Sequence, residues 1–207
     1  MARLFRTVGP VPNHPASWNV APRQDALAVR RHPETGERHL NLLSWGLVPA
    51  WTKELAAARR PINARAETVA TSGMFRGAFA ARRCIVPADA FYEWKASAGA
   101  KQPYAVARRD GQPMAFAALW EGWRAPDGEV LRTFTIVTTE ANAVLAPIHA
   151  RMPVVLEPAD WRAWLGETSG DPAPLMRPAG DDVLRAWPVS TRVNNVRNDG
   201  PELLEAA

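Results

Sequence analysis

Short apolar runs separated by polar punctuation dominate this chain, and few are long enough for a helix of several turns. The runs at 26–31 (ALAVRR), 39–48 (HLNLLSWGLV), 84–94 (CIVPADAFYEW), 103–109, 114–120, 131–138, 152–156 and 183–189 are short and rich in apolar or aromatic residues, which predicts strands. Asp110-Gly111 and Asp127-Gly128 predict hairpin turns, because Asp-Gly readily takes the left-handed backbone of a two-residue loop. Helices are expected only at 73–81, 140–147 and 158–165, the last opening on Pro158, whose missing N–H costs nothing in a first turn. Segment 166–180 (GETSGDPAPLMRPAG) lacks any period and reads as a surface excursion. The pattern predicts an α+β chain, a single domain over 1–207. A curved or barrel-like antiparallel or mixed β-sheet should dominate it, with a few short helices.

Composition narrows the classes. A 47% hydrophobic fraction with 9 Trp and 6 Phe excludes a mainly disordered chain. No run of 18 apolar residues occurs, which excludes a helical membrane span, and no basic–apolar–small leader opens the sequence, so a cytoplasmic location is expected. The single cysteine, Cys84, leaves no internal disulfide and no cysteine-based zinc site. His14, His32, His39 and His149 lack ligand spacing, so neither a metal nor another cofactor is expected. The formal charge is +4, and 22 of the 25 basic residues are arginines. Either GC-rich codon usage or a need for guanidinium forks on phosphates accounts for that bias.

Three polar clusters interrupt apolar segments. In Pro61-Ile62-Asn63-Ala64-Arg65-Ala66-Glu67-Thr68, residues 63, 65 and 67 alternate and would share one strand face, either as a site or as an exposed Arg–Glu pair. In Phe91-Tyr92-Glu93-Trp94 a carboxylate stands among aromatics, where desolvation would make it a general acid; the plainer reading puts it on the solvent side of an edge strand. In Pro147-Ile148-His149-Ala150-Arg151-Met152-Pro153 an imidazole and a guanidinium lie two residues apart, as a catalytic pair or as ordinary structural residues. Cys84 heads an apolar strand and reads as a buried, inert thiol.

WNVAP (18–22), WGLVPAW (45–51), PINARAET (61–68), CIVPADAFYEW (84–94), IHARMP (148–153) and VNNVRN (193–198) follow one another in an order that resembles the SRAP family, the SOS response-associated peptidases. The resemblance runs from about Phe5 to Glu205 and implies recognition and covalent shielding of abasic sites in single-stranded DNA. It implies Asn63, Glu93 and His149 as catalytic residues: Asn63 holding the sugar and the N-terminal residue, Glu93 moving protons during imine formation, and His149 assisting beside the lesion. It implies DNA contacts at Asn19, Pro22, Trp51, Arg65, Met74, Arg76, Thr138 and Arg151 along a single-strand groove, and a monomeric protein. Where some relatives carry a Trp-Trp pair this chain has Trp51-Thr52, and where the family has an arginine it has Gly73, with Arg76 near enough to compensate.

The main departure is at the start. Family members begin Met-Cys-Gly-Arg, and the exposed cysteine amine and thiol close a thiazolidine with the sugar aldehyde. This chain reads Met1-Ala2-Arg3-Leu4-Phe5, which resembles the later part of the family's first helix, so an upstream segment with the cysteine is expected to be missing. The thiazolidine step is accordingly expected to be lost here. Two other activities remain open: a cysteine-dependent self-processing peptidase, and a non-catalytic single-stranded DNA-binding module.

Overall fold

The computed structural model describes residues 1–97 and 99–207. Its strands are β1 (Asp25–Arg31), β2 (Arg38–Trp45), β3 (Asn63–Arg65), β4 (Arg83–Ala88), β5 (Phe91–Ser97), β6 (Ala100–Arg108), β7 (Met114–Arg124), β8 (Val130–Glu140), β9 (Arg151–Pro153) and β10 (Leu184–Pro188). The helices are single turns or little more: α1 (Ala2–Phe5), α2 (Ala66–Val69), α3 (Arg76–Ala81) and α4 (Trp161–Trp164). None of them is long and apolar enough to cross a membrane among the described residues.

A mixed sheet closes on itself as β2–β1–β4–β7–β8, with β8 returning parallel to β2 at Ser44–Thr133 and Trp45–Phe134. The expected α+β, barrel-like sheet is therefore the observed fold. At 11 residues, β8 is long enough to take two partners in series on each edge. β7 and then β9 lie along one edge, β2 and then β3 along the other. The handover from β2 to β3 is made at Gly46, whose φ of +118° strains any L side chain and where a Cβ would stand a tight 3.2 Å from the Arg60 carbonyl oxygen. A second sheet, β10–β6–β5, is wholly antiparallel.

Both faces of β4 and β7 are covered, which explains why Met114 to Leu119 are buried without alternation. Ile85, Ala115, Ala117 and Leu119 join Phe5, Trp161 and Trp164 in one core, while Cys84, Phe116, Ala118 and Phe134 join Val106 and Leu184 of the small sheet in another. The opposite face of the small sheet has its own core of Ala105, Val189, Val193 and Leu203, onto which Trp18, Tyr92, Trp94 and Trp187 pack.

Several expected elements differ. Residues 84–94 are two strands in different sheets, β4 and β5, parted at Asp89-Ala90. Pro87 has no N–H for a second ladder, and β1 pairs β4 only as far as Ile85, so the chain is free to leave the barrel there. Asp110-Gly111 is a turn, with Gly111 at φ +71°, but not a hairpin, since β6 and β7 belong to different sheets. Arg108 fixes it by pairing with both Asp110 and Glu157. Asp127-Gly128 does join the paired strands β7 and β8. The helix expected at 140–147 is a run of turns, since residue 140 still belongs to β8 and Pro147 stops any continuation. The other two expected helices shorten to α3 and α4, and the strand expected to run to residue 48 ends at Trp45.

Candidate active site

Three short stretches meet around the far half of β8. Ala64 is buried in β3, so alternation turns Asn63 and Arg65 outward, as the sequence pattern predicts. Glu67 does not continue that face: β3 ends at Arg65, and Ala66-Glu67-Thr68, good first-turn residues, coil into α2. Glu67 instead meets Arg151, the first residue of β9, from the other side of β8. Arg151 Nη1 and Nη2 donate to Glu67 Oε1 and Oε2 at 2.9 and 3.0 Å. The same guanidinium donates from Nε to Thr138 Oγ1 at 3.3 Å and from Nη2 to the Thr138 carbonyl at 2.5 Å. Thr138 is buried, and the Arg151 hydrogen bonds hold the Glu67 carboxyl below its ordinary value.

His149 stands just before β9 and is exposed. Its Nδ1 lies 3.1 Å from the Arg151 N–H, which donates to it, and 3.0 Å from the Arg151 carbonyl. The neutral ring with its proton on Nε2 accepts the first contact; a ring that carries a proton on Nδ1, neutral or cationic, donates in the second. The same Nδ1 faces Glu93 Oε1 at 3.8 Å.

Glu93 arrives from the second sheet. Tyr92 and Trp94 pack on the outer core of that sheet and Phe91 packs on the barrel side, so strand alternation turns Glu93 toward the barrel. The solvent-side placement open to it from sequence alone is thus not the one it takes. Burial raises its carboxyl above the ordinary value, opposed by the His149 charge and by the Trp94 N–H. Its neighbours are pinned: the Tyr92 hydroxyl donates to the Trp18 carbonyl at 2.9 Å, and Trp94 Nε1 donates to Asn194 Oδ1 at 2.7 Å. Burial and Asp199 push the Tyr92 hydroxyl up to about 12.

The structure thus gathers Glu93, His149, Arg151, Thr138 and Glu67 through direct contacts, with Asn63 and Arg65 one strand away. The remaining predicted residues lie outside that set. Asn19 is buried and structural in its contacts, its Nδ2 donating to the carbonyls of Val193, Asn195 and Asn198 at 3.1, 3.3 and 3.1 Å. Those bonds join the first and last motifs of the sequence, and beside them lies a cleft of about 210 Å³ lined by His14, Ser17, Gln24 and Asp199. Pro22 and Arg76 are exposed, Met74 is half-buried, and Trp51 is 67% exposed after β2. Cys84 is fully buried, its thiol pushed up to about 12 by desolvation. Among the described residues, no three His, Cys, Asp or Glu side chains come together as a metal site requires.

Many arginines prove to be internal struts. Arg38 pairs with Glu167, Arg82 with Glu121, and Arg83 donates to the carbonyls of Trp164 and Phe79. The contact that sequence reasoning missed is Glu67 with Arg151. No local signal carried it, since Glu67 and Arg151 stand 84 residues apart and an exposed first-turn acid is satisfied by solvent and the helix N-terminus alone.

The family described as SOS response associated peptidase (SRAP) matches residues 2–196. The abasic site processing protein YoqW of Bacillus subtilis is 40% identical over 197 residues, spanning 93% of this chain and 87% of that one. The abasic site processing protein YedK of Escherichia coli is 38% identical over 192 residues, spanning 91% and 83%. A crystal structure of a Bordetella bronchiseptica protein superposes with a TM-score of 0.78 at 31% identity, covering 92% of this chain and 94% of that one.

Proposed function

From the premise that this chain belongs to the SRAP family, we propose that it recognises abasic sites in single-stranded DNA and performs acid–base chemistry on the opened sugar. The observation that carries this reading is the Glu93–His149 pair, with 3.8 Å between Nδ1 and Oε1. Its carboxyl is raised by burial, so Glu93 keeps its proton closer to neutral pH than a free carboxylate does.

In imine formation an amine adds to the sugar aldehyde and the carbinolamine loses water. Protonated Glu93 gives its proton to the departing hydroxyl, and His149 accepts the proton released from nitrogen. Asn63, facing outward from β3, holds the sugar by hydrogen bonds. Exposed Arg65 and Arg76, with Arg151, bind phosphates, and Trp51 offers a ring for stacking. Met74 lines the base path, Thr138 flanks the groove, and Asn19 and Pro22 shape the adjoining wall. The one thiol of the chain, Cys84, is buried and its pKa raised, so it closes no thiazolidine. An amine with no thiol beside it gives an imine, which is open to hydrolysis.

The test is incubation with a single-stranded oligonucleotide carrying one abasic site, with and without a reductant that traps imines, followed by a denaturing gel. A reductant-dependent adduct is expected, and peptide mapping then assigns it among the α-amine, Lys53, Lys95 and Lys101. In parallel, single strands should bind better than duplex, and Arg65→Ala should flatten the salt dependence by about 0.7 in log–log slope. Binding without any adduct would identify a non-catalytic module, and equal affinity for intact and abasic strands with no adduct would overturn the reading.

A further inference from the structure

We infer that Glu67 is a positioning residue, which holds the His149 ring toward Glu93 by fixing Arg151. The argument is one of donor accounting. A guanidinium has five N–H groups and no acceptor. Here four are committed, two to the Glu67 carboxylate and one each to the Thr138 hydroxyl and carbonyl. A single Nη1–H remains for any ligand. Arg151 is therefore mainly a strut that crosses β8 from β9 to α2, and a phosphate meeting it finds one donor in a fixed direction instead of a fork.

That strut bears on the ring next to it. The Nδ1 of His149 touches both the N–H and the carbonyl of Arg151, so the peptide of Arg151 sets the ring's orientation. Arg151 is the first of only three residues in β9, at the end of the ladder, where backbone bonds alone restrain least. An exposed ion pair normally contributes little. This one is bidentate, its arginine side chain is only 24% exposed, and it is anchored on buried Thr138. The lowered carboxyl of Glu67 keeps the strut charged throughout the neutral range.

The kinetic arm of the test rests on the function proposed above; a spectroscopic arm does not. In nitrogen-detected NMR, neutral His149 of the unaltered chain should show Nδ1 as an acceptor with the proton on Nε2. Glu67→Gln should move it toward the tautomer mixture of a free imidazole. Trapped-imine formation should slow by about tenfold, less than the 10² that a full 1 Å misplacement costs. DNA affinity should change by less than about threefold with an unaltered salt slope. Arg151→Lys, which keeps the charge and loses the fork, should reproduce the ring and rate effects and serves if Glu67→Gln does not fold. An unchanged His149 spectrum and rate would overturn the inference. So would tighter binding with a salt slope steeper by about 0.7, which would mean that Glu67 merely masks Arg151. If the unaltered chain traps no adduct, the functional reading fails and the spectrum of His149 still decides the role of Glu67.

Discussion

The two partners of the Glu93–His149 pair are held in place by different means. His149 belongs to the barrel side, where β8 fixes its surroundings through ladders on both edges and the Arg151 strut ties β9 to α2. Glu93 belongs to the small sheet, whose strands, among the described residues, pair only with one another and whose position depends on apolar packing and side-chain hydrogen bonds. Several of those bonds reach the outer segments of the chain, Tyr92 to Trp18 and Trp94 to Asn194, and Asn19 ties these two segments to each other at 193–198. A separation of 3.8 Å is therefore set by how one body docks on another. The chemistry proposed for the pair needs that docking held to within about 0.5 Å.

The sharpest way to break the comparison is to remove the proton from one side of it. Glu93→Gln keeps the shape and the strand and deletes the acid. Imine formation on an abasic strand should slow by about 10²–10⁴-fold, while DNA affinity stays close to that of the unaltered chain. Single-turnover rates measure this, and equal rates for the two proteins would remove Glu93 from the mechanism.

The next effect separates docking from chemistry. Asn19 has no hydrogen bond to Glu93 or His149 among the described residues, yet its buried amide shares its two N–H donors among three carbonyls of the closing loop. Asn19→Ala strands those carbonyls at a cost of about 1–3 kcal/mol. If the small sheet is docked as described, its amides in β5, β6 and β10 should exchange with deuterium faster while those of β4, β7 and β8 keep their protection. The imine rate should fall with them. A uniform loss of protection in both sheets would show that the two bodies are one cooperative unit.

The same division explains what was legible in the sequence. Barrel strands such as 26–31 and 131–138 announce themselves, because apolar runs between turn residues have one physical solution in a covered sheet. The break inside 84–94 does not, since Cys84 to Trp94 is apolar nearly throughout and nothing local says that one half faces a different sheet. The Asp110-Gly111 turn misleads for the same reason: its backbone is right and its strands have other partners. Asn63 and Arg65 were readable from alternation, whereas Glu67 left the strand for α2 and found Arg151, 84 residues away. That pairing is tertiary, and a one-dimensional pattern holds no record of it.

The smallest effect is a difference of sign between two carboxylates, one on each side of the comparison. Glu93 has a folded-state value raised by burial, so its protonated form is the one that folding favours. The stability it contributes is present at low pH and is lost as pH rises from the ordinary carboxylate value through the raised one. Glu67 has a folded-state value lowered by Arg151, so its contribution is present above the ordinary value and is lost as pH falls through the lowered one. Urea unfolding of the unaltered chain, Glu93→Gln and Glu67→Gln at several points between about pH 3 and pH 7 should then give opposite trends. Glu93→Gln should gain on the unaltered chain as pH rises, because it no longer carries a charge that burial disfavours. Glu67→Gln should fall behind over the same range by no more than about 1 kcal/mol, the ceiling for an ion pair this exposed. If both variants drift in the same direction, the two carboxylates share an environment, and the division of the site between a laddered barrel and a docked sheet is wrong.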